Sequence, residues 1–264
     1  MIYKGFTEAN VIITGACSGI GRELVKQVSE SRANILAIDY RKEDLKDLAN
    51  EFPQVTHTLE IDLSQKGTHA TIITYVKNHW THVDFCFANA GIAEFGPTER
   101  QNWEEMDRLF QLNVHSPIQL GLGLKEAFPP HPFRHVITAS AMSYWTLPGY
   151  SLYAATKSAL LQWAQTLWAE KTGKWLTLVF PIATKTDFFN HAGKNIPKAW
   201  PQQTAEWVAS EMLRGAAKGK KKIYPSKLFL GVLILNRFFR FIRRIVLWVE
   251  YRKYKNWLKE QSNS

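Results

Sequence analysis

The stretch from Asn10 to Ser29 constrains the fold more than any other. Asn10-Val-Ile-Ile-Thr14 is a short, nearly apolar run that reads as a buried strand. The loop Gly15-Ala-Cys-Ser-Gly-Ile-Gly21 follows, and residues 22–29 mix apolar and polar side chains at helical spacing. Strand, glycine loop and helix in this order let a backbone turn tightly and approach a phosphate closely. The free N–H groups and positive dipole end of the helix then face the anion. Gly15, Ser18, Gly19, Ile20 and Gly21 are therefore expected to hold the pyrophosphate of a dinucleotide. The spacing is Gly-x-x-x-Gly-x-Gly rather than the general Gly-x-Gly-x-x-Gly.

Strand-like runs recur at 34–39, 55–61, 83–88, 135–139 and 175–180, with helix-like stretches such as 103–128 and 151–171 between them. This alternation predicts a parallel, doubly wound α/β sheet with helices on both faces. Asp39 ends the second run 18 residues after Gly21, where a carboxylate grips the adenine-side ribose. Its charge repels a 2′-phosphate, so NAD is favoured over NADP, with Arg41 working against that preference. An N-cap for residues 41–50 is the alternative role for Asp39. Asp62 and Leu63 follow the third strand, and Asp62 is placed to accept from an adenine amino group or to cap a helix.

The chemistry is concentrated in Ser140 to Lys157. Tyr153 and Lys157 are four apart and share a face if the segment is helical. A free phenol has a pKa of about 10. A neighbouring ammonium is expected to pull it toward neutrality. Ser140 stands at a strand end, where open α/β sheets keep their reactive groups. The spacing alone means little, because Tyr251 and Lys255 repeat it in the tail with Phe238, not serine, thirteen residues upstream.

Taken together, Thr14-Gly-x-x-x-Gly-x-Gly21, Asp62, Asn89-Ala90-Gly91, Asn113, Ser140, Tyr153-x-x-x-Lys157 and Pro181…Thr186 make the chain resemble the short-chain dehydrogenase/reductase superfamily over roughly residues 8–225. The resemblance implies a single Rossmann-type domain and an NAD(P)-dependent exchange between a hydroxyl and a carbonyl. It implies Tyr153 as acid/base, Lys157 as its partner and as a hold on the nicotinamide ribose, and Ser140 on the substrate oxygen. Asn113 would hold a relay water, Asn89-Ala90-Gly91 would line the cofactor cleft, and Thr186 would meet the carboxamide side. A homo-oligomer is expected. The family's usual Pro-Gly is here Pro181-Ile182, which puts the path toward Thr186 in question because a β-branched residue resists positive φ.

Of the 33 basic residues, 13 lie from residue 218 onward with only 2 of the 23 acidic ones, so that segment carries +11 and the rest −1. A near-neutral body argues against nucleic acid as a partner. The domain is taken as residues 1–225, followed by a basic amphipathic tail over 226–264. In the tail, Asn236 to Tyr251 sets Arg237, Arg240, Arg243 and Arg244 against Phe238, Phe241, Ile242, Ile245 and Val249 at helical spacing. That pattern fits a helix lying on an anionic membrane surface, with Trp248, Tyr251, Tyr254 and Trp257 as anchors, or a helix covering the substrate cleft. Residues 186–204 form the expected substrate loop, and Phe188, Phe189, Ile196 and Trp200 point to a small lipophilic alcohol or carbonyl. Two cysteines and no signal-like N-terminus fit a cytoplasmic protein, peripheral at the inner face of a membrane. No metal is expected: His79 and His82 do not share a helical face. Two rival readings are a membrane-peripheral dinucleotide-binding scaffold and an epimerase or dehydratase on the same fold.

Overall fold

The computed structural model describes residues 4–128, 131–193, 195–239 and 241–262. Seven parallel strands form one sheet: β1 (Asn10–Thr14), β2 (Asn34–Asp39), β3 (His57–Glu60), β4 (Phe85–Ala88), β5 (Arg134–Thr138), β6 (Leu176–Val179) and β9 (Lys222–Ile223). Their order is β3-β2-β1-β4-β5-β6-β9, and the short β7 (Thr184–Lys185) and β8 (Gln203–Thr204) pair separately. The doubly wound sheet expected from the alternating runs is thus present.

The central strands are buried on both sides, as their continuous apolar composition requires. Val11, Ile13 and Val136 face a core closed by α1 (Gly19–Ser29), α2 (Lys42–Glu51) and α7 (Ala205–Ala217). Ile12, Leu36 and Cys86 face the other side under α3 (Thr68–His79) and α5 (Ser116–Ala127). Ile137 and Leu178 meet α6 (Ser151–Ala169) on that same side. Each of these fully buried side chains contributes roughly 1.5–3 kcal/mol by leaving water. Cys17 and Cys86 are both free.

The helix expected over 103–128 is interrupted. It consists of α4 (Trp103–Phe110), a π-turn at Gln111–His115 and α5, and Asn113 sits in the π-turn. A single-turn widening of this kind often marks a functional position.

The tail corrects one expectation. The amphipathic helix read over 236–251 is divided into α8 (Lys227–Phe238) and α9 (Phe241–Ser262), while Arg240 lies outside the described residues. The side chain of Asn236 accepts the N–H of Arg243 (3.2 Å), so a residue of the first helix caps the start of the second.

Candidate active site

The strand order reverses between β1 and β4, and the segments leaving these two strands meet there. The Oγ1 of Thr14 accepts the N–H groups of both Asn89 (3.1 Å) and Ala90 (3.0 Å). A Cβ on Gly15 would lie 3.0 Å from the Cα of Ala90, and one on Gly21 would lie 1.9 Å from the carbonyl of Gly15. Gly15 and Gly19 also have φ of +64° and +51°. Nothing but glycine fits at these points. Ser18 is the N-cap of α1, yet its side chain does not cap the helix, so the first N–H groups of α1 stay available to an anion. Ile20 packs its side chain on the core beneath.

Asp39 is buried at the end of β2. It accepts from Cys17 N (3.1 Å), Tyr40 N (3.0 Å), Arg41 N (3.3 Å) and Arg41 Nε (3.1 Å). The N-cap of α2 is Arg41, so the capping alternative for Asp39 does not hold. Arg41 also meets Asp44 at 2.8 Å, which leaves two carboxylates around one guanidinium. Asp62 accepts from the N–H and hydroxyl of Ser64 (2.9 and 2.7 Å) and does not cap α3, whose N-cap is Gly67. Burial opposes its ionisation, but the bonds from Ser64 and Gln65 prevail and hold its pKa below the usual carboxylate value. Leu63 is buried against the second core.

At the carboxyl end of β5, Thr138 links three elements. Its hydroxyl donates to Asn89 Oδ1 (3.1 Å), and its carbonyl accepts from Lys157 Nζ (2.9 Å). Ser140 accepts the N–H of Met142 (3.1 Å) and hydrogen-bonds the phenol of Tyr153. α6 is held down by Ser143, whose hydroxyl donates to the carbonyl of Lys157 (2.7 Å). Asn113 accepts from Ile92 N (3.0 Å) and donates to Ile92 O (2.9 Å) and Thr156 Oγ1 (3.2 Å). Gly91 completes the packing, since a Cβ there would lie 3.0 Å from Asn113 Oδ1 and 3.6 Å from Lys157 Nζ.

The titration of the pair departs from the sequence expectation. Burial pushes Tyr153 up to about 12, with the Ser140 hydrogen bond as a partial offset. Burial brings Lys157 down to about 7. The ammonium, spent on the Thr138 carbonyl, does not overcome the desolvation of the phenolate. In this arrangement the proton rests on the phenol.

Both Tyr-x-x-x-Lys copies are helical, and their local geometry is nearly the same. Lys157 Nζ is 5.6 Å from the Tyr153 ring, and Lys255 Nζ is 5.7 Å from that of Tyr251. Tyr153 is 5% exposed and bonded to Ser140, while Tyr251 is 50% exposed. Burial and the serine separate them, as the surrounding sequence implies.

Ile182 is not at positive φ, so the Pro181-Ile182 departure carries no backbone strain. Thr186 still reaches the glycine loop: a Cβ on Gly19 would lie 3.0 Å from its Cγ2. Phe188, Phe189 and Ile196 pack around Tyr150 and Tyr153, whereas Trp200 is 83% exposed and takes no part. The sequence reading missed Phe95, which sits 4.8 Å from the Tyr150 ring and 4.9 Å from that of Trp257. Trp257 is only 7% exposed, and Tyr254 also meets Phe95 edge to face (5.9 Å), so neither is an interfacial anchor. The end of α9 thus covers the rim of this site.

The chain matches the short chain dehydrogenase family over residues 9–196. It belongs to the short-chain dehydrogenase/reductase family of oxidoreductases. An NAD-dependent glycerol dehydrogenase of Listeria innocua is 27% identical over 87% of this chain and 91% of that protein. Mouse 17-beta-hydroxysteroid dehydrogenase 13 is 24% identical over 88% of this chain and 78% of its own. Among solved structures, a family member from Burkholderia phymatum in complex with NAD superposes with a TM-score of 0.77 at 16% identity, covering 89% of this chain and 95% of that one. A Sphingobium yanoikuyae short-chain dehydrogenase in complex with NADPH gives 0.75 at 23% identity, covering 83% and 88%.

The depressed Lys157 has a consequence for stability. The unfolded chain holds its proton up to 10.5 and the native chain only to about 7, so the unfolded state binds more protons between these values. Stability from this site therefore rises with pH across that window and is lost as pH falls. Lys157→Met should gain unfolding midpoint relative to the native chain as pH is lowered from 10.5 toward 7. A difference that stays constant across the titration would mean that the ammonium is not desolvated.

Proposed function

We propose that this chain is an NAD(P)-dependent oxidoreductase that interconverts a hydroxyl and a carbonyl on a lipophilic substrate. One observation carries the reading: the Tyr153 phenol, bonded to Ser140 and beside Lys157, lies against an apolar cluster of Phe95, Met142, Leu147, Phe188, Phe189 and Ile196. The glycine loop, the uncapped α1 terminus and the Asp39 carboxylate suit a dinucleotide's pyrophosphate and ribose. A bound nicotinamide would supply or accept the hydride at the substrate carbon. Tyr153 gives its proton to the substrate oxygen in reduction and takes it back in oxidation. Ser140 donates to that oxygen as negative charge grows there. Lys157 returns a proton to Tyr153 and holds the ribose. Because Asn113 spends its side chain on Ile92 and Thr156, a relay water would be held through its main chain.

The ribose end favours NAD. Asp39 and Asp44 together outweigh Arg41, and a 2′-phosphate would add two further negative charges beside them. Purified protein should oxidise NADH with apolar ketones or aldehydes, faster as the apolar portion lengthens. Tyr153→Phe should lower turnover by at least a factor of about 100 while leaving the NADH dissociation constant nearly unchanged. Native turnover in the variant would remove Tyr153 from its role. In the same titration NADH should bind more tightly than NADPH, and the reverse order would show that Arg41 dominates.

The tail points to where such a substrate is met. Nine of the fifteen large apolar side chains exposed among the described residues belong to α8 and α9, including Phe238, Phe241, Ile245 and Trp248 (58% exposed). Arg237, Arg243 and Arg244 line the groove between the two helices. Among the described residues no helix is long and apolar enough to cross a membrane. Apolar side chains beside arginines suit an anionic lipid surface, where each cation contributes about 1 kcal/mol. The domain over residues 1–225 would then work at the cytoplasmic face of a membrane, and a second copy of the chain is a further expected partner. The native chain should float with vesicles containing phosphatidylglycerol and not with pure phosphatidylcholine. A variant combining Arg243→Glu, Arg244→Glu and Trp248→Glu should stay in solution. Equal flotation of the two proteins would reject the membrane role.

A further inference from the structure

We propose that His82, Asp84 and His131 bind one divalent transition-metal ion, zinc by preference, at the amino-terminal edge of the sheet. His82 and Asp84 precede β4, and His131 precedes β5. Tyr153 and the glycine loop lie at the carboxyl ends of the strands, so this site is separate from the catalytic one. One ligand atom from each of the three residues lies within 4.8 Å of the others. His131 Nε2 is 2.9 Å from Asp84 Oδ1, and His82 Nε2 is 3.4 Å from Asp84 Oδ2. Donor atoms around a tetrahedral zinc sit about 3.3 Å apart, given Zn–N and Zn–O distances of about 2.0–2.1 Å. The two imidazole rings are 4.2 Å apart and turn the same nitrogen toward one carboxylate.

The surroundings orient the donors as metal sites do. Asp84 Oδ2 accepts the N–H of Asn10 (2.8 Å), which fixes the carboxylate. Asn10 also donates from Nδ2 to the carbonyl of His82 (3.0 Å), which fixes the loop that carries it. The hydroxyl of Thr81 is 3.2 Å from His82 Nδ1, which occupies the nitrogen facing away from the carboxylate. Two imidazoles and one carboxylate suit zinc and its late first-row neighbours, whereas magnesium and calcium want oxygen. Three protein ligands leave a fourth position for water.

The sequence conceals this site because His131 is 47 residues from Asp84. His79, the nearer candidate partner of His82, instead stacks on Tyr75 at 4.2 Å and bonds its carbonyl. An ion held here would tie the entry of β4 to the loop ahead of β5.

The test uses the full chain, free of any affinity tag and stripped of metal. Zinc is titrated in competition with a chromophoric chelator, and cobalt is followed by visible absorption. One equivalent of zinc should bind, cobalt should give a tetrahedral d–d spectrum, and zinc should raise the unfolding midpoint. His82→Ala and His131→Ala should each weaken zinc by at least about tenfold and abolish the cobalt spectrum. His79→Ala should change none of these, and carbonyl reduction should persist in all three variants. Absence of zinc binding at micromolar concentration would overturn the site and leave a plain His-Asp-His hydrogen-bond cluster. Equal affinity in the native chain and in the His82 and His131 variants would overturn it too.

Discussion

The lateral tie across the carboxyl ends of β1, β4 and β5 is the constraint on which the site depends. Thr14 holds the backbone of Asn89 and Ala90, Asn89 accepts from Thr138, and Thr138 accepts from Lys157. Three neutral bonds of this kind contribute only about 1 kcal/mol each to stability. Their larger effect is positional. They fix the spacing of the glycine loop, the Asn89-Ala90-Gly91 segment and the α6 face that carries Tyr153. They also give a buried ammonium its acceptor, without which burial of Lys157 would cost several kcal/mol.

Much of this was legible in the sequence because it is locally encoded. Continuous apolar runs mark strands buried on both faces, and the glycines mark points where a Cβ would strike backbone at 1.9 to 3.0 Å. Asp39 ends its strand run, and Asn89 and Ser140 stand just beyond theirs. Even Ile182, read as a threat to the Thr186 loop, proves neutral because its backbone never enters the positive-φ region.

What the sequence misplaced depends on distance in the chain or on desolvation. Phe95 and Trp257 meet across most of the chain, and no periodicity announces that contact. Tyr254 and Trp257 have the composition of membrane anchors, but composition does not say which side of a helix finds a partner. Trp200 looks like an apolar tooth of the lid and instead faces solvent. The direction of the Tyr153 shift was misjudged because proximity of a cation is visible in Tyr-x-x-x-Lys, whereas the depth at which both groups are buried is not. The break between α8 and α9 hides for a similar reason. Its cap is a tertiary bond from Asn236, not a glycine or proline signal.

The two faces of α9 bear on one another. A helix of 22 residues is about 33 Å long, and it behaves as a rod over that distance. Its first half carries the exposed Phe241, Ile245 and Trp248, and its last turns press Tyr254 and Trp257 onto Phe95 at the rim of the apolar cluster. Seating the first half on a lipid surface would therefore orient the rim toward that surface. A substrate leaving the bilayer would meet Phe95, Tyr150 and the lid without crossing much water. The cost of exposing a long apolar chain scales at about 0.8 kcal/mol per CH₂, so a short path from bilayer to rim would matter most for a substrate with a long apolar portion.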